Sequence, residues 1–192
     1  MGYAKKLELD NTFIYMDPLE GWKISHYIQD VQSLNYYNHS QVDTALFMIH
    51  KLHNANIDSK YSFNIWDIIE KMEGEIQKQG RDKFQDYDSL YHDAEKLFEL
   101  TEHDKVAKCL CHCNFCNINI LIDQNNKFYL INWKYAGNSD PACNIGMFIA
   151  CSNYSLDEAK NIIHRYLLRE PSISELSHYL AYVSVISYYL FL

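Results

Sequence analysis

Three asparagine side chains near the middle of the sequence could form one hydrophilic site. Asn114 lies in a polar loop, Asn119 follows five residues later, and Asn132 comes after an intervening hairpin. The hairpin is indicated by two short apolar runs that flank the turn-forming segment Gln124-Asn125-Asn126. Because a hairpin brings its two ends together, we predict that these three side chains converge. Such a site can bind polar groups, but an amide cannot take up a proton at neutral pH.

The same region contains a second set of potential ligands, namely Cys111, His112, Cys113 and Cys116. Thiolate and imidazole groups bind zinc well, although structural zinc sites usually combine ligand pairs that are well separated in the sequence. A zinc-stabilised interaction module built on the Cys109–Cys116 loop is therefore one alternative. The simpler expectation is that these cysteines are small buried apolar residues without disulfides, since cysteines so close in sequence cannot connect distant parts of a fold.

Composition narrows the classes of protein further. The chain has 192 residues, of which 48% are hydrophobic, and a formal net charge of −8. This charge argues against a nucleic-acid partner, which requires a basic face, and suits a small cationic ligand better. We expect no signal peptide, because the first ten residues are polar and charged, and therefore a cytoplasmic location. The apolar run from Tyr179 to Leu192 has fourteen residues, whereas a membrane span needs about 20, so it predicts a buried helix.

The hydrophobic periodicity predicts a fold of the α+β class in which helices dominate. Strand patterns over 12–16 and 22–28, followed by a linker that ends near Ser40, suggest a hairpin at the front. Helical patterns follow, and a small β-patch interrupts them between residues 109 and 132. The predicted helices cover 41–55, 63–79, 87–103, 143–151, 156–169 and 175 to the end. Ser40, Gly80 and the pair Ser172 with Glu175 are predicted to cap helix ends.

The segment from Cys111 to Phe148 resembles the catalytic core of the choline/ethanolamine kinase and aminoglycoside phosphotransferase family, which has a protein-kinase-like fold. The first motif of that family matches His112, Asn114 and Asn119, and the second matches the run Ile131-Asn132-Trp133-Lys134-Tyr135-Ala136-Gly137, followed by Asp140-Pro141. Upstream, the segment Gly21-Trp22-Lys23-Ile24 and the pair Leu52-His53 are similar to bacterial choline kinases. The resemblance covers the chain from about residue 12 to its end.

The resemblance implies a phosphotransferase that uses ATP and Mg²⁺ and acts on a small cationic amino alcohol such as choline. It assigns the catalytic positions to Asn114 and His112, the second of which is largely structural in the family. It assigns the metal-binding positions to Asn119 and Asn132. The substrate-binding positions that it implies are Trp133, Lys134, Tyr135 and Asp140, although Asp140 is also suited to capping the next helix.

Several of these positions depart from the family pattern in chemically important ways. The family has aspartate where this sequence has Asn114 and Asn132, and usually where it has Asn144. Phosphoryl transfer relies on such carboxylates to orient the acceptor hydroxyl and to hold Mg²⁺. Lys134 replaces a glutamate that lies near the cationic substrate in choline-using relatives, and a lysine there repels a quaternary ammonium.

The resemblance also implies how the chain is organised. Residues 1–34 correspond to a remnant of nucleotide-lobe strands and the hinge, and residues 35–192 to the helical carboxy-terminal lobe. Too few residues precede Thr12 for a glycine-rich loop and a strand lysine. We therefore predict either self-association or a partner that supplies the missing lobe.

Three functional hypotheses follow from the sequence. The first is a truncated choline/ethanolamine kinase-like phosphotransferase with impaired or absent catalysis, in effect a pseudokinase. The second is an active ATP-dependent choline kinase, and the third is the zinc-stabilised interaction module.

Overall fold

The computed structural model of this protein describes residues 2–80 and 84–192. Within these residues the chain forms seven helices and seven short strands, which makes it an α+β protein in which helices dominate, as predicted. The helices are α1 (Gly2–Lys6), α2 (His39–His53), α3 (Ile65–Gln79), α4 (Tyr87–His103), α5 (Pro141–Ala150), α6 (Leu156–Leu167) and α7 (Ile173–Phe191). The strands are β1 (Phe13–Met16), β2 (Lys23–Ser25), β3 (Gln32–Ser33), β4 (Cys109–Cys111), β5 (Ile120–Ile122), β6 (Phe128–Leu130) and β7 (Gly137–Ser139).

Helix α5 lies at the centre of the core. Its eight residues from Ala142 to Ile149 are all buried, and α7 packs along it over most of its length. At Gly146 the two helices approach so closely that a β-carbon would lie 3.0 Å from both the Ile186 side chain and the Tyr182 backbone. The predicted core positions Trp66, Tyr179 and Tyr188 are buried as expected.

The strands form three small antiparallel sheets. Strands β1 and β2 pair as the predicted front hairpin, and β5 and β6 pair as the predicted central hairpin. Strand β3 adds a third strand beside β5, with Gln32 opposite Ile122, and β4 pairs with β7, with Cys111 opposite Gly137. Neither of these two pairings was predicted, because each joins segments that are distant in the sequence.

The predicted central turn is confirmed, and its geometry explains its sequence. Asn126 adopts a left-handed conformation, with φ of 57°. The Asp123 carboxylate accepts hydrogen bonds from the backbone N–H groups of Asn125 and Lys127, at 2.8 and 2.9 Å. This turn fixes the register of the hairpin and therefore the positions of Asn119 and Asn132 at its far end.

The predicted helix ends lie within two residues of the observed ones, and one predicted cap is wrong. Gly80 ends α3 in a left-handed conformation, and Ser172 with Glu175 forms a capping box at the start of α7. Ser40 was predicted to cap α2, but the helix begins earlier, and the side chain of Asn38 accepts the backbone N–H of Gln41 instead. The extended conformation of Asn38 allows this bond, whereas Ser40 already lies within the helix.

Among the described residues, no helix combines the length and the apolar character that a membrane crossing requires.

Candidate functional site

The polar loop between β4 and β5 and the end of the central hairpin meet at one point. The backbone N–H of Ile131 donates to the carbonyl of Asn119 at 2.9 Å, which closes the open end of the hairpin. Phe115 attaches the loop to the core, because its buried ring stacks on that of Phe148 in α5 with ring centroids 5.3 Å apart. The sequence-based prediction that the two polar loops converge is therefore confirmed.

The three predicted amides form a chain of hydrogen bonds at this point. Nδ2 of Asn132 donates to Oδ1 of Asn119 at 3.2 Å, and Nδ2 of Asn119 donates to the backbone carbonyl of Asn114 at 2.8 Å. Asn119 is buried, while Asn114 and Asn132 are half-buried. Asn132 is held in a left-handed conformation, with φ of 65°, a region that asparagine and aspartate enter more readily than most residues. The cluster is a compact polar site without a negative charge among its three side chains.

His112 connects the loop to the hairpin and is fully buried. Its Nε2 donates to the carbonyl of Ile131 at 2.8 Å, and its Nδ1 accepts the backbone N–H of Asn114 at 3.3 Å. Burial lowers the pKa of His112 to about 4, so the ring is neutral. Both ring nitrogens are therefore hydrogen-bonded, and the ring packs against that of Trp133 with the ring centroids 4.8 Å apart. The contacts of His112 are those of a residue that positions Asn114 and the hairpin end.

A second buried network supports the loop from α5. Oδ1 of Asn144 accepts the backbone N–H of Cys113 at 2.8 Å, so its Nδ2 must be the group that faces Nε2 of His53 at 2.7 Å. Nδ1 of His53 then donates to the Tyr166 hydroxyl at 2.6 Å. Burial lowers the pKa of His53 to about 3, so the ring is neutral and accepts the amide proton. An aspartate at position 144 could accept the Cys113 bond but could not donate to this histidine.

Asp140 has the capping role predicted from its position before Pro141. Its Oδ1 accepts the backbone N–H of Ala142 at 2.8 Å at the start of α5. Its Oδ2 contacts Nε2 of His178 at 2.9 Å, and Nδ1 of the same ring contacts the Asp104 carboxylate at 2.6 Å. Both oxygens of Asp140 are therefore engaged by protein groups, in a bridge that is buried at Asp140 and His178, exposed at Asp104, and links α4, α5 and α7.

The bridge makes folding stability depend on pH. Burial alone would lower the pKa of His178, but hydrogen bonds and charge from Asp140 and Asp104 outweigh it and raise the pKa above its ordinary value. A histidine in the unfolded chain has a pKa of about 6.5, and below that pH the charged His178 contributes its full stabilisation. This stabilisation is lost as the pH rises through the higher pKa that His178 has in the folded protein. His178→Leu is therefore expected to lower the free energy of unfolding more at pH 6 than at pH 9, as measured by urea unfolding.

His26 provides a control for this prediction, because it is an exposed histidine on the front hairpin. His26→Leu should change the unfolding free energy by less than about 0.5 kcal/mol at either pH. A His178→Leu effect of equal size at pH 6 and pH 9 would contradict the assignment of a charged imidazole between the two carboxylates.

The aromatic residues predicted to bind substrate are already occupied by protein groups. Trp133 is buried, and its indole N–H donates to the carbonyl of Leu130 at 2.7 Å. Tyr135 is half-buried, and the Lys134 ammonium lies 4.5 Å from the centre of its ring. The ring face that could attract a cationic substrate is thus covered by a cation of the chain itself.

The donor set at the amide cluster does not suit Mg²⁺. Mg²⁺ favours charged oxygen ligands in near-octahedral geometry. Here the side-chain oxygen of Asn119 is taken by an N–H of Asn132, and neither residue carries a charge. The residues therefore fit a direct amide–amide hydrogen bond and do not fit a bound magnesium ion.

Sequence reasoning missed two contributors to this region. His178 falls inside the predicted helix that begins at residue 175, and Asp104 directly follows the predicted helix 87–103, but neither was assigned a role. One indication was available, since a histidine at the edge of an apolar run needs a polar partner when it is buried. Their pairing with Asp140 depends on how α4, α5 and α7 pack, which the sequence pattern does not determine.

The fold and the site together define the class of protein. A hairpin with polar residues at both ends, packed on a helical bundle with small sheets in front, is the helical lobe of a protein-kinase-like phosphotransferase. The model of the phosphotransferase enzyme family, which includes the aminoglycoside phosphotransferases, matches residues 49–177, and this chain belongs to that family. Comparison with curated protein sequences gives no match.

Solved structures with similar folds include choline and ethanolamine kinases. A choline/ethanolamine kinase family protein from Mesorhizobium loti superposes with a TM-score of 0.81 at 17% identity, over 95% of this chain and 64% of that one. The choline kinase LicA from Streptococcus pneumoniae gives a TM-score of 0.76 at 19% identity, over 97% and 67%. LicA in complex with AMP gives a TM-score of 0.77 at 19% identity, over 97% of this chain and 66% of that one. The chain thus spans about two thirds of the length of these structures, and the likeness establishes the shared fold.

Proposed function

We propose that this chain is a choline/ethanolamine kinase-like phosphotransferase with little or no phosphoryl-transfer activity. The observation that carries the proposal is the hydrogen bond from Nδ2 of Asn132 to Oδ1 of Asn119. It puts an N–H where the resemblance implies that a metal ion sits between two oxygen ligands. The site is therefore shaped like a phosphotransfer centre but lacks its negative charges.

The acceptor side of the reaction is also weakened. Asn114 occupies the position of the general base, and its amide cannot accept the proton of a substrate hydroxyl. His112 does not replace it, because the ring is buried and its two nitrogens are bonded to the Asn114 N–H and to the Ile131 carbonyl. Removing a general base typically lowers the rate on the order of 10²–10⁴-fold. Loss of base and loss of metal charge act on the same step, so both favour an inactive site.

The proposed ligands remain those of the relatives, at reduced affinity. One compared structure is a complex with AMP, and two others are described as choline or choline/ethanolamine kinases. A nucleotide and a small cationic amino alcohol are thus the ligands to test first. Lys134 opposes the cation, since its ammonium already lies over the ring of Tyr135.

We further propose that residues 1–34 represent the strands and hinge of a nucleotide lobe and that residues 35–192 form the helical lobe. The front hairpin supports this division, because its apolar side chains Ile14, Tyr15, Trp22 and Ile24 are each about half exposed and form little of the core. A reducing, cytoplasmic location is proposed from the six cysteines, all of which are free in the structure.

The direct test is formation of ADP from ATP and Mg²⁺ with and without choline. We expect no choline-dependent ADP formation by the purified chain. Active kinases typically turn over at about 1–100 s⁻¹, and a choline-dependent rate in that range would contradict the proposal.

A separate experiment tests whether the missing negative charge weakens metal binding. It measures binding of Mn²⁺, a paramagnetic substitute for Mg²⁺, through the relaxation of water protons. Asn132→Asp would put a carboxylate oxygen opposite Oδ1 of Asn119, in place of the present N–H. We expect this variant to bind Mn²⁺ at least about tenfold more tightly, which corresponds to about 1.4 kcal/mol. Asn125→Asp adds the same charge at the exposed hairpin turn and is the matched control. Equal Mn²⁺ affinity of the two variants would show that the amide cluster is not a former metal site.

A further inference from the structure

A histidine and two cysteines come together where the end of α2 meets β4. His53 is the last residue of α2, and Cys109 and Cys111 are the first and last residues of β4. One potential ligand atom from each residue lies within 4.8 Å of the other two. His53 and Cys111 are buried, whereas Cys109 is partly exposed. Within residues 2–80 and 84–192, this is the one group of three such side chains that could share a metal ion.

The two sulfur atoms already have the separation that a tetrahedral metal ion requires. Alternate residues of a strand point to the same side, so Cys109 and Cys111 present their thiols together. Their Sγ atoms are 3.8 Å apart. Two sulfurs bound to one tetrahedral Zn²⁺, each at about 2.3 Å, lie about 3.8 Å apart. An ion could therefore bind both sulfurs without movement of the strand.

The histidine is held in place by bonds of the kind that orient metal ligands. Its Nδ1 contacts the Tyr166 hydroxyl at 2.6 Å and its Nε2 contacts the Asn144 amide at 2.7 Å. One nitrogen would exchange its present partner for the metal, and the other would keep its partner. A metal-bound histidine usually retains such a bond through its second nitrogen, which fixes the orientation of the ring.

The site also has a route of entry. Cys109 is partly exposed, so an ion can reach the sulfur pair from the solvent side of β4. The three side chains leave one position of a tetrahedral ion unfilled, and water can occupy it on that side. Soft thiolates together with an imidazole select zinc-like ions over Mg²⁺ or Ca²⁺, which prefer oxygen ligands.

We propose that His53, Cys109 and Cys111 form a binding site for a thiophilic metal ion of the Zn²⁺ type, with one coordination position open to solvent. This set differs from the one suggested by the sequence, which combined the cysteines with His112. The ring of His112 is directed at the Ile131 carbonyl and at Trp133, so it cannot join the sulfurs. The bound ion would connect α2 to the strand that leads directly into the loop with Asn114.

The test uses the full chain, reduced and freed of metal, titrated with Zn²⁺ against a chromophoric chelator. We expect one equivalent to bind and the melting temperature to rise with it, since a ligand that binds the folded state stabilises it. Co²⁺ in place of Zn²⁺ should give the intense near-ultraviolet absorption of thiolate-to-metal charge transfer. Binding without that absorption would overturn the proposal, because it would show that the cysteines are not ligands.

Cys109→Ser is the decisive variant, and Cys151→Ser is its control. Both cysteines are partly exposed, but Cys151 lies at the end of α5, outside the cluster. Cys109→Ser should weaken Zn²⁺ binding at least about tenfold and abolish the thermal shift, whereas Cys151→Ser should change neither. His53→Gln should weaken binding similarly if its circular dichroism shows a folded chain. No Zn²⁺ binding by the native chain, or equal losses in both serine variants, would overturn the proposal.

Discussion

Asn144→Leu is expected to lower the free energy of unfolding by about 2–6 kcal/mol. The side chain is fully buried, and leucine has nearly the same size but no hydrogen-bonding group. The change leaves the backbone N–H of Cys113 and the Nε2 of His53 without their partners at 2.8 and 2.7 Å. Each buried polar group left unsatisfied costs about 1–3 kcal/mol. The two losses add because they affect different groups on different segments.

Urea unfolding followed by circular dichroism measures this effect. Asn161→Leu is the matched control, because it makes the same change on the exposed face of α6. It should shift the unfolding free energy by less than about 0.5 kcal/mol. An Asn144→Leu variant as stable as Asn161→Leu would mean that the loop does not depend on α5 for its position.

Gly146→Ala is expected to destabilise the protein by about 1–3 kcal/mol. The new β-carbon would lie 3.0 Å from the Tyr182 backbone carbon and 3.0 Å from Cδ1 of Ile186. The isoleucine end could move, but the backbone of α7 could not yield without separating the two central helices. Overpacking of this kind typically costs about 1–3 kcal/mol.

Gly74→Ala is the control for this substitution and should have the opposite sign. Gly74 also lies within a helix, α3, but no atom lies within 4 Å of the position that its β-carbon would take. Alanine in a helix interior is favoured over glycine by about 0.5–1 kcal/mol, so this variant should be more stable than the native chain. Thermal unfolding of both variants, side by side, checks the prediction. A Gly146→Ala variant at least as stable as Gly74→Ala would contradict the close packing of α5 on α7.

The helices were predicted well because their signals are local. The bounds of α4 agree with the periodicity to the residue, and Gly80 and Ser172 act at helix ends as their types indicated. Strands β3 and β7 were missed, since each has only two or three residues and pairs with a distant segment. Helix α1 was missed because five residues give too little periodicity to recognise.

The candidate site was predicted in part. The convergence of Asn114, Asn119 and Asn132 followed from the hairpin alone. The bonds that complete the region, from Asn144 to His53 and from His178 to Asp140, span 91 and 38 residues and depend on helix packing. The proximity of His53 to the two thiols of β4 depends on the same packing. Residue spacing did not indicate this proximity, because it suggested metal ligands within a single loop.

The short strand β3 has a consequence for the order in which this protein folds. It pairs with β5, whose residues lie about ninety positions further along the chain, and so contributes contacts of very long range. Such contacts are slow to form, because the chain loses the entropy of closing a long loop before the contacts contribute any free energy. During synthesis, Gln32 and Ser33 cannot pair with β5 until the ribosome has released Ile122. The pairing of β3 with β5 therefore requires the closure of a loop of about ninety residues, whereas β5 and β6 pair across a short turn.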